Sequence, residues 1–171
     1  MFRYVLMVLM LSTAMGNAVE MNNTKPSAVK TKIAERIVIG RVERIKVMAV
    51  DITKKARIDT GAKTTSIDAR EIEPFIRDGK DWVRFKFDDE PIEAPVARTV
   101  LIKRHGGKSR SRFVVELDLK LGPIVQKVEV TLANREKYVY PILIGRNFLK
   151  NQFVVDVSRV FLGCSSQKVA Y

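Results

Sequence analysis

Apolar residues recur at every second position in short runs along this chain, and turn signals separate the runs. "WVRFKF" (Trp82–Phe87) sets Val83, Phe85 and Phe87 against Arg84 and Lys86. "RFVVELDLKL" sets Phe113, Val115, Leu117 and Leu119 against mostly polar neighbours, and "KVEVTL" (Lys127–Leu132) repeats the pattern. A period of two places alternate side chains on one face of a strand. "RIVIGRVERIKVMAV" (Arg36–Val50), "KKARI", "TTSIDA", "YVYPILI" and "FVVDV" add β-branched or apolar runs. Asp78-Gly79, Gly106-Gly107, Gly122-Pro123, Asn134 and Gly145 punctuate them. Helical spacing is brief: Arg70–Ile76 and Arg146–Asn151 each fit one or two turns. Many short strands with frequent turns predict an all-β barrel or sandwich. At 171 residues the chain suffices for one domain and hardly for two.

The N-terminus, "MFRYVLMVLMLSTAMGNAVE", has one early cation, an apolar run from Tyr4 to about Leu11, then small residues. That layout predicts a secretory signal peptide over residues 1–18, ending at Ala18. The apolar run is short of the roughly 20 residues a spanning helix needs, so membrane association is expected only if this segment is retained. Residues 19–32 are polar and read as a flexible lead. The folded domain is expected over 33–163, with a C-terminal tail over 164–171. A single cysteine, Cys164, excludes a disulfide within the chain.

The stretch "ARIDTGAKTTSIDA" (Ala56–Ala69) carries the chemistry. Asp and Gly commonly share an ordinary turn, which is the simpler reading of Asp59-Thr60-Gly61 taken alone. The chemical reading is a rigid turn that presents a carboxylate, with Gly61 allowing close approach of another backbone. Two facing carboxylates can share a proton, one acting as base and the other as acid. The chain has one Asp-Thr-Gly and no Asp-Ser-Gly, so the second carboxylate would come from a second copy across a two-fold axis. About 80 residues on, "YPILIGRNFL" gives an apolar strand ending at Gly145, then a short helix.

"DTGA" (Asp59–Ala62) followed by "ILIGRNFL" (Ile142–Leu149) resembles the paired signatures of retropepsins, the retroviral-type aspartic proteases. Between them, "TVLIKRHGGKSRSRFVVELDL" resembles the glycine-tipped flap hairpin. "IDTGAKTTSIDA", "IEPF", "DGKDWVRF", "EAP", "LANREK" and "LIGR" resemble the bacterial retropepsin-like family related to RimB, whose members are often labelled ATP-dependent zinc proteases. The resemblance runs from about Ile37 to Leu162. It implies a retropepsin-like closed β-barrel, the acid protease fold, with one or two short helices. It implies Asp59 as the catalytic aspartate. Thr60, Gly61, Ala62, Ile144 and Gly145 would support the active-site loop. Arg104, His105, Gly106, Gly107 and Lys108 would form the flap tip that binds substrate. Two departures stand out. Retroviral enzymes carry an acid after the Ala, where this chain has Lys63, so Arg146 needs another partner. A segment of about Arg77–Pro95 is inserted and reads as an extra hairpin.

A metal and a nucleotide are not expected. Catalytic zinc takes three protein ligands, and this chain offers one His, His105, and one Cys, Cys164. His105 lies among cations, and no GxxxxGK[ST] loop is present. Lys and Arg number 31 against 19 Asp and Glu, a net charge of +12. With export expected, that charge points to an anionic envelope surface or an acidic substrate rather than nucleic acid. The run Lys103–Arg112 reads as a solvated loop tip or as a cationic flap for acidic peptide. The expectation is therefore an exported, periplasmic, homodimeric aspartic endopeptidase acting without cofactor on a peptide or protein, acidic or cell-wall-derived. The alternative is a non-catalytic module of the cell envelope that binds a peptide or a partner on the same fold.

Overall fold

The computed structural model describes residues 36–104, 107–163 and 168–169, with side chains left undescribed at 103, 104, 107–110, 168 and 169. All of these lie in the unit Ile33–Tyr171. The strands are β1 (Arg36–Gly40), β2 (Val42–Val47), β3 (Ile52–Ile58), β4 (Thr65–Asp68), β5 (Arg70–Arg77) and β6 (Lys80–Phe87). They continue as β7 (Glu90–Arg104), β8 (Gly107–Leu121), β9 (Ile124–Ala133), β10 (Ile142–Ile144), β11 (Phe153–Asp156) and β12 (Lys168–Val169). One four-residue helix, α1 (Arg146–Leu149), follows β10.

Six strands close a barrel in the order β2, β3, β10, β4, β9, β8, and the seam is β8 against β2, with Val47 opposite Leu119. Closure leaves no free edge in the ring. The alternation read in the sequence decides which side chains fill it. In β3, Ala56 and Ile58 are buried while Lys55 and Arg57 are exposed; in β8, Leu117, Leu119 and Leu121 are buried between exposed Glu116, Asp118 and Lys120. Burying each large apolar side chain contributes about 1.5–3 kcal/mol.

The inserted segment forms β6 with a hairpin on each side. Val83, Phe85 and Phe87 point into the core, and Phe85 faces Ile92 across β7. Arg70–Ile76 corrects the sequence reading: it is strand β5, not helical turns. Its backbone pairs with β6 from Arg77–Lys80 to Glu73–Arg84, and Phe75 packs on Trp82 with ring centroids 6.3 Å apart. Pro74 has no N–H to give an interior helical turn, which removes the helical alternative. Arg146–Leu149 is helical as expected. A second sheet places β1 between β11 (parallel) and β12 (antiparallel).

Glu43 occupies an inward position of β2, on the face of Ile45 and Val47, and is only 2% exposed. A buried carboxylate is tolerated when hydrogen bonds replace water. Here Gly40 N–H and Leu162 N–H donate to Oε1 at 2.6 and 2.8 Å, and Gly163 N–H donates to Oε2 at 3.1 Å. The carboxylate thus ties the chain's 162–163 segment to the β1–β2 turn. Gly122 completes the fit: its φ is +56°, and an added Cβ would lie 2.0 Å from the Gly163 carbonyl oxygen. Glu43→Ala strands three N–H donors at about 1–3 kcal/mol each. It should lower unfolding free energy by about 3 kcal/mol or more in urea denaturation, with Glu43→Gln intermediate.

Candidate active site

Strand β3 delivers Asp59 to the end of a parallel ladder. β10 runs beside β3 with Ile142, Leu143 and Ile144 opposite Ala56, Arg57 and Ile58. The Asp59 N–H extends the ladder by donating to the Ile144 carbonyl at 2.9 Å. The chain then turns sharply. Gly61 N–H and Ala62 N–H both donate to Asp59 Oδ1, at 2.9 and 3.1 Å. One carboxylate oxygen is therefore held by the turn's own backbone. The other, Oδ2, has no hydrogen-bond partner among the described residues, and Asp59 is half-buried.

Helix α1 braces this turn. Gly145, at its N-cap, brings no side-chain cap, and the first N–H groups of any helix lack intrahelical partners. The turn supplies them: Arg146 N–H donates to the Ala62 carbonyl at 2.9 Å and Asn147 N–H to the Lys63 carbonyl at 3.2 Å. The Arg146 guanidinium donates to the Thr60 and Gly61 carbonyls at 3.0 and 2.8 Å. These carbonyls are the partner that the absence of an acid at position 63 left open. Gly145 packs so closely that a Cβ would sit 2.7 Å from the Thr64 carbonyl carbon.

Two residues that sequence reading passed over complete the brace. Thr65 is fully buried; its hydroxyl donates to Asn147 Oδ1 at 2.9 Å and accepts the Gly145 N–H at 3.1 Å. Asn147 Oδ1 also accepts the Thr65 N–H at 2.9 Å, and its Nδ2 donates to the Glu129 carbonyl at 2.8 Å. A hydroxyl at the head of a β-branched run and an Asn just after Ile-Gly-Arg were the available signals.

The expected loop-support residues are thus brought together: Thr60, Gly61 and Ala62 form the turn, and Ile144 and Gly145 lie beneath it. Of the expected flap tip, His105 and Gly106 lie outside the described residues, and only the backbone of Arg104, Gly107 and Lys108 is described. The hairpin itself is long. β7 and β8 pair with Val100 opposite Arg112, then Leu101–Ser111, Ile102–Arg110 and Arg104–Gly107.

Three cavities adjoin residues in or next to the turn. One of about 750 Å³ adjoins Ile58 and is lined by Arg41, Arg57, Tyr140 and Phe161. One of about 510 Å³ adjoins Thr60 and Arg146 beside Phe153. One of about 400 Å³ adjoins Ala62 and reaches Val100, Ile102 and Arg112 on the hairpin. Among the described residues no group of three or more His, Cys, Asp or Glu is placed to hold a metal ion.

A closed six-strand barrel that threads β10 between β3 and β4 under an Asp-Thr-Gly turn defines a retropepsin-like, acid-protease class of protein. A family model described as retropepsin-like aspartic endopeptidase RimB matches residues 38–165, and the chain belongs to this RimB-like family. It is also similar to proteins named probable alpha-L-glutamate ligase. The one from Desulfotalea psychrophila is 38% identical over 110 residues, covering 60% of this chain and 24% of that protein. The one from Shewanella pealeana is 38% identical over 124 residues, covering 67% and 26%. The chain thus spans about a quarter of the length of these curated relatives. A crystal structure of a Legionella pneumophila protein of unknown function matches with a TM-score of 0.66 and 30% identity, covering 74% of this chain and 98% of that one.

The brace predicts a local effect. Arg146→Ala removes two hydrogen bonds to the turn's carbonyls and leaves the barrel core untouched. Amide exchange at Gly61 and Ala62 should quicken several-fold by hydrogen-exchange mass spectrometry, while exchange in β8 and β9 stays unchanged.

Proposed function

We propose that the chain is an exported, homodimeric aspartic endopeptidase whose catalytic residue is Asp59. The observation that carries this reading is the division of labour on its carboxylate: Oδ1 is fixed by two backbone N–H groups, and Oδ2 is left to act. A rigid, half-used carboxylate is what paired-aspartate chemistry needs from each copy. In the dimer, a water lies between Asp59 and Asp59 of the second copy. The ionised carboxylate takes a proton from the water as its oxygen attacks the peptide carbonyl carbon. The protonated carboxylate gives its proton to the carbonyl oxygen. The tetrahedral intermediate then breaks its C–N bond, and the nitrogen leaves with a proton returned by the pair. No metal or nucleotide enters any step.

Substrate enters as an extended peptide beneath the β7–β8 hairpin. Cations line the cavities adjoining Ile58 and Ala62, the residues just before and after the Asp59-Thr60-Gly61 run: Arg41 and Arg57 in the first, Lys63 and Arg112 in the second. They favour an acidic peptide. The relatives named as glutamate ligases agree in chemistry, since glutamyl chains are acidic. Those proteins also support a second reading: the matched region is a quarter of their length, so the fold can serve as a peptide-holding module beside another activity.

Cleavage of blocked peptides between pH 4 and 8 tests the first reading, with oligomeric state followed by sedimentation. One carboxylate must be protonated and one ionised, so activity should lie on the acid side of neutral. Asp59→Asn should lower the rate at least about 10²-fold with circular dichroism unchanged. Full activity in that variant, or a well-folded monomer that cleaves nothing, would favour the binding module. Export has its own check: N-terminal sequencing of the protein recovered from the cell envelope should begin at Val19.

A further inference from the structure

We propose that the cavity adjoining Ala62 is a carboxylate-binding subsite, with Lys63 and Arg112 as its specificity-determining residues. The proposal rests on the peptide-binding reading of the cleft and adds which side chains select what enters it. The cavity's floor is Leu143, Ser66 and Thr131, aligned across β10, β4 and β9: Ser66 lies opposite both Leu143 and Thr131. Its roof comes from the hairpin, where Val100 and Arg112 are cross-strand partners. One wall is Ala62–Thr64, directly after the catalytic turn.

Among the described residues four cations and no carboxylate line this space: Lys63, Arg98, Arg112 and Arg135. Two already have uses. Arg98 forms a two-pronged pair with Glu129, Nη2 to Oε2 at 2.6 Å and Nε to Oε1 at 3.0 Å. The pair holds the Glu129 carboxyl below its ordinary range and the guanidinium above its own. Arg135 is buried, donates from Nε to the Tyr140 carbonyl at 3.1 Å and lies over the Tyr138 ring at 4.6 Å. Burial lowers its affinity for a proton, Tyr138 and Asp68 oppose that, and repulsion from Arg112 and Arg57 adds to it. Among the described residues Lys63 and Arg112 make no ion pair or hydrogen bond; Lys63 lies near enough to Glu129 to help hold its carboxyl down, but that carboxylate is bonded to Arg98.

Ser66 supplies the independent observation. It is 9% exposed, and its hydroxyl is buried with no partner among the described residues. A partly enclosed space with unmatched donors and like charges is unfavourable until an acceptor fills it. A carboxylate suits it: it accepts the planar guanidinium fork of Arg112 and the Lys63 ammonium together. The carboxylate can come from a Glu or Asp side chain or from the end of the peptide chain.

Binding to the full chain carrying Asp59→Asn tests this without requiring turnover. Three fluorescent peptides are compared by anisotropy: a blocked Gln-containing peptide, the same peptide with one Glu moved through it, and the Gln peptide with a free C-terminal carboxylate. Either acidic peptide should bind at least tenfold tighter than the blocked neutral one, and which of the two does so identifies the source. The preference should vanish in Lys63→Gln/Arg112→Gln. In Lys63→Glu/Arg112→Glu it should reverse toward a Lys-containing peptide, with melting temperature checked for each variant. Equal binding of charged and neutral peptides, or a preference that survives both double variants, would overturn the subsite. Absence of cleavage by the unmutated chain, with the binding preference intact, would overturn only the peptidase reading.

Discussion

The structure depends on three residues of backbone threaded between two strands. β10 lies between β3, to which it is parallel, and β4, to which it is antiparallel. Ile142 and Ile144 are fully buried there. The insertion joins segments about 80 residues apart, and such long-range closure carries an entropy cost that the core must offset. The barrel needs β10 to close its ring. The Asp59 turn needs the Ile144 carbonyl for its first hydrogen bond and α1, which follows at once, for its remaining ones. Removing β10 would therefore open the barrel and release the turn together. Fold and site share one support.

That shared support explains why so many polar groups converge beneath the turn. Thr65, Asn147, Gly145 and Arg146 exchange donors and acceptors so that each supplies what a neighbour lacks, and the helix is capped by the loop it braces. A fully satisfied network of this kind fixes one geometry, whereas a half-satisfied one costs stability. Asp59 Oδ2, at the end of this chain of hydrogen bonds, has no partner among the described residues. A carboxylate oxygen that the protein itself does not occupy is where a second molecule can bond without breaking the network beneath.

What could be read from sequence divides along the range of the interactions. The period-two alternation of Trp82–Phe87, Phe113–Leu119 and Lys127–Leu132 is a local signal, and those strands form where it places them. The Asp-Thr-Gly turn is local too. Arg70–Ile76 misled because Ile72, Phe75 and Ile76 also fit helical spacing; pairing with β6 overrides that weak local pattern. The Tyr138–Pro141 part of "YVYPILI" is loop rather than strand, with Tyr138 and Val139 exposed, so apolar content alone misplaced the start of β10. Glu43, Thr65 and Asn147 were invisible for one reason. Most of their partners are distant, at 119, 120, 80 and 82 residues in sequence, and no local pattern marks a polar side chain that a distant group will satisfy.

The net charge, so prominent in the sequence, acquires a location. At physiological ionic strength exposed charges are screened over about 8 Å, so most of the surplus acts weakly on a peptide in the cleft. Cations that line the cavity adjoining Ala62 are different, because less water separates them from whatever enters it. Glu129 matters here as much as the cations do. Glu129 pairs with Arg98 and also attracts Lys63 at longer range, which leaves Lys63 and Arg112 as the lining cations with no hydrogen bond or ion pair among the described residues. In the proposed subsite, selectivity follows from which cations the protein has not already paired, rather than from how many it carries.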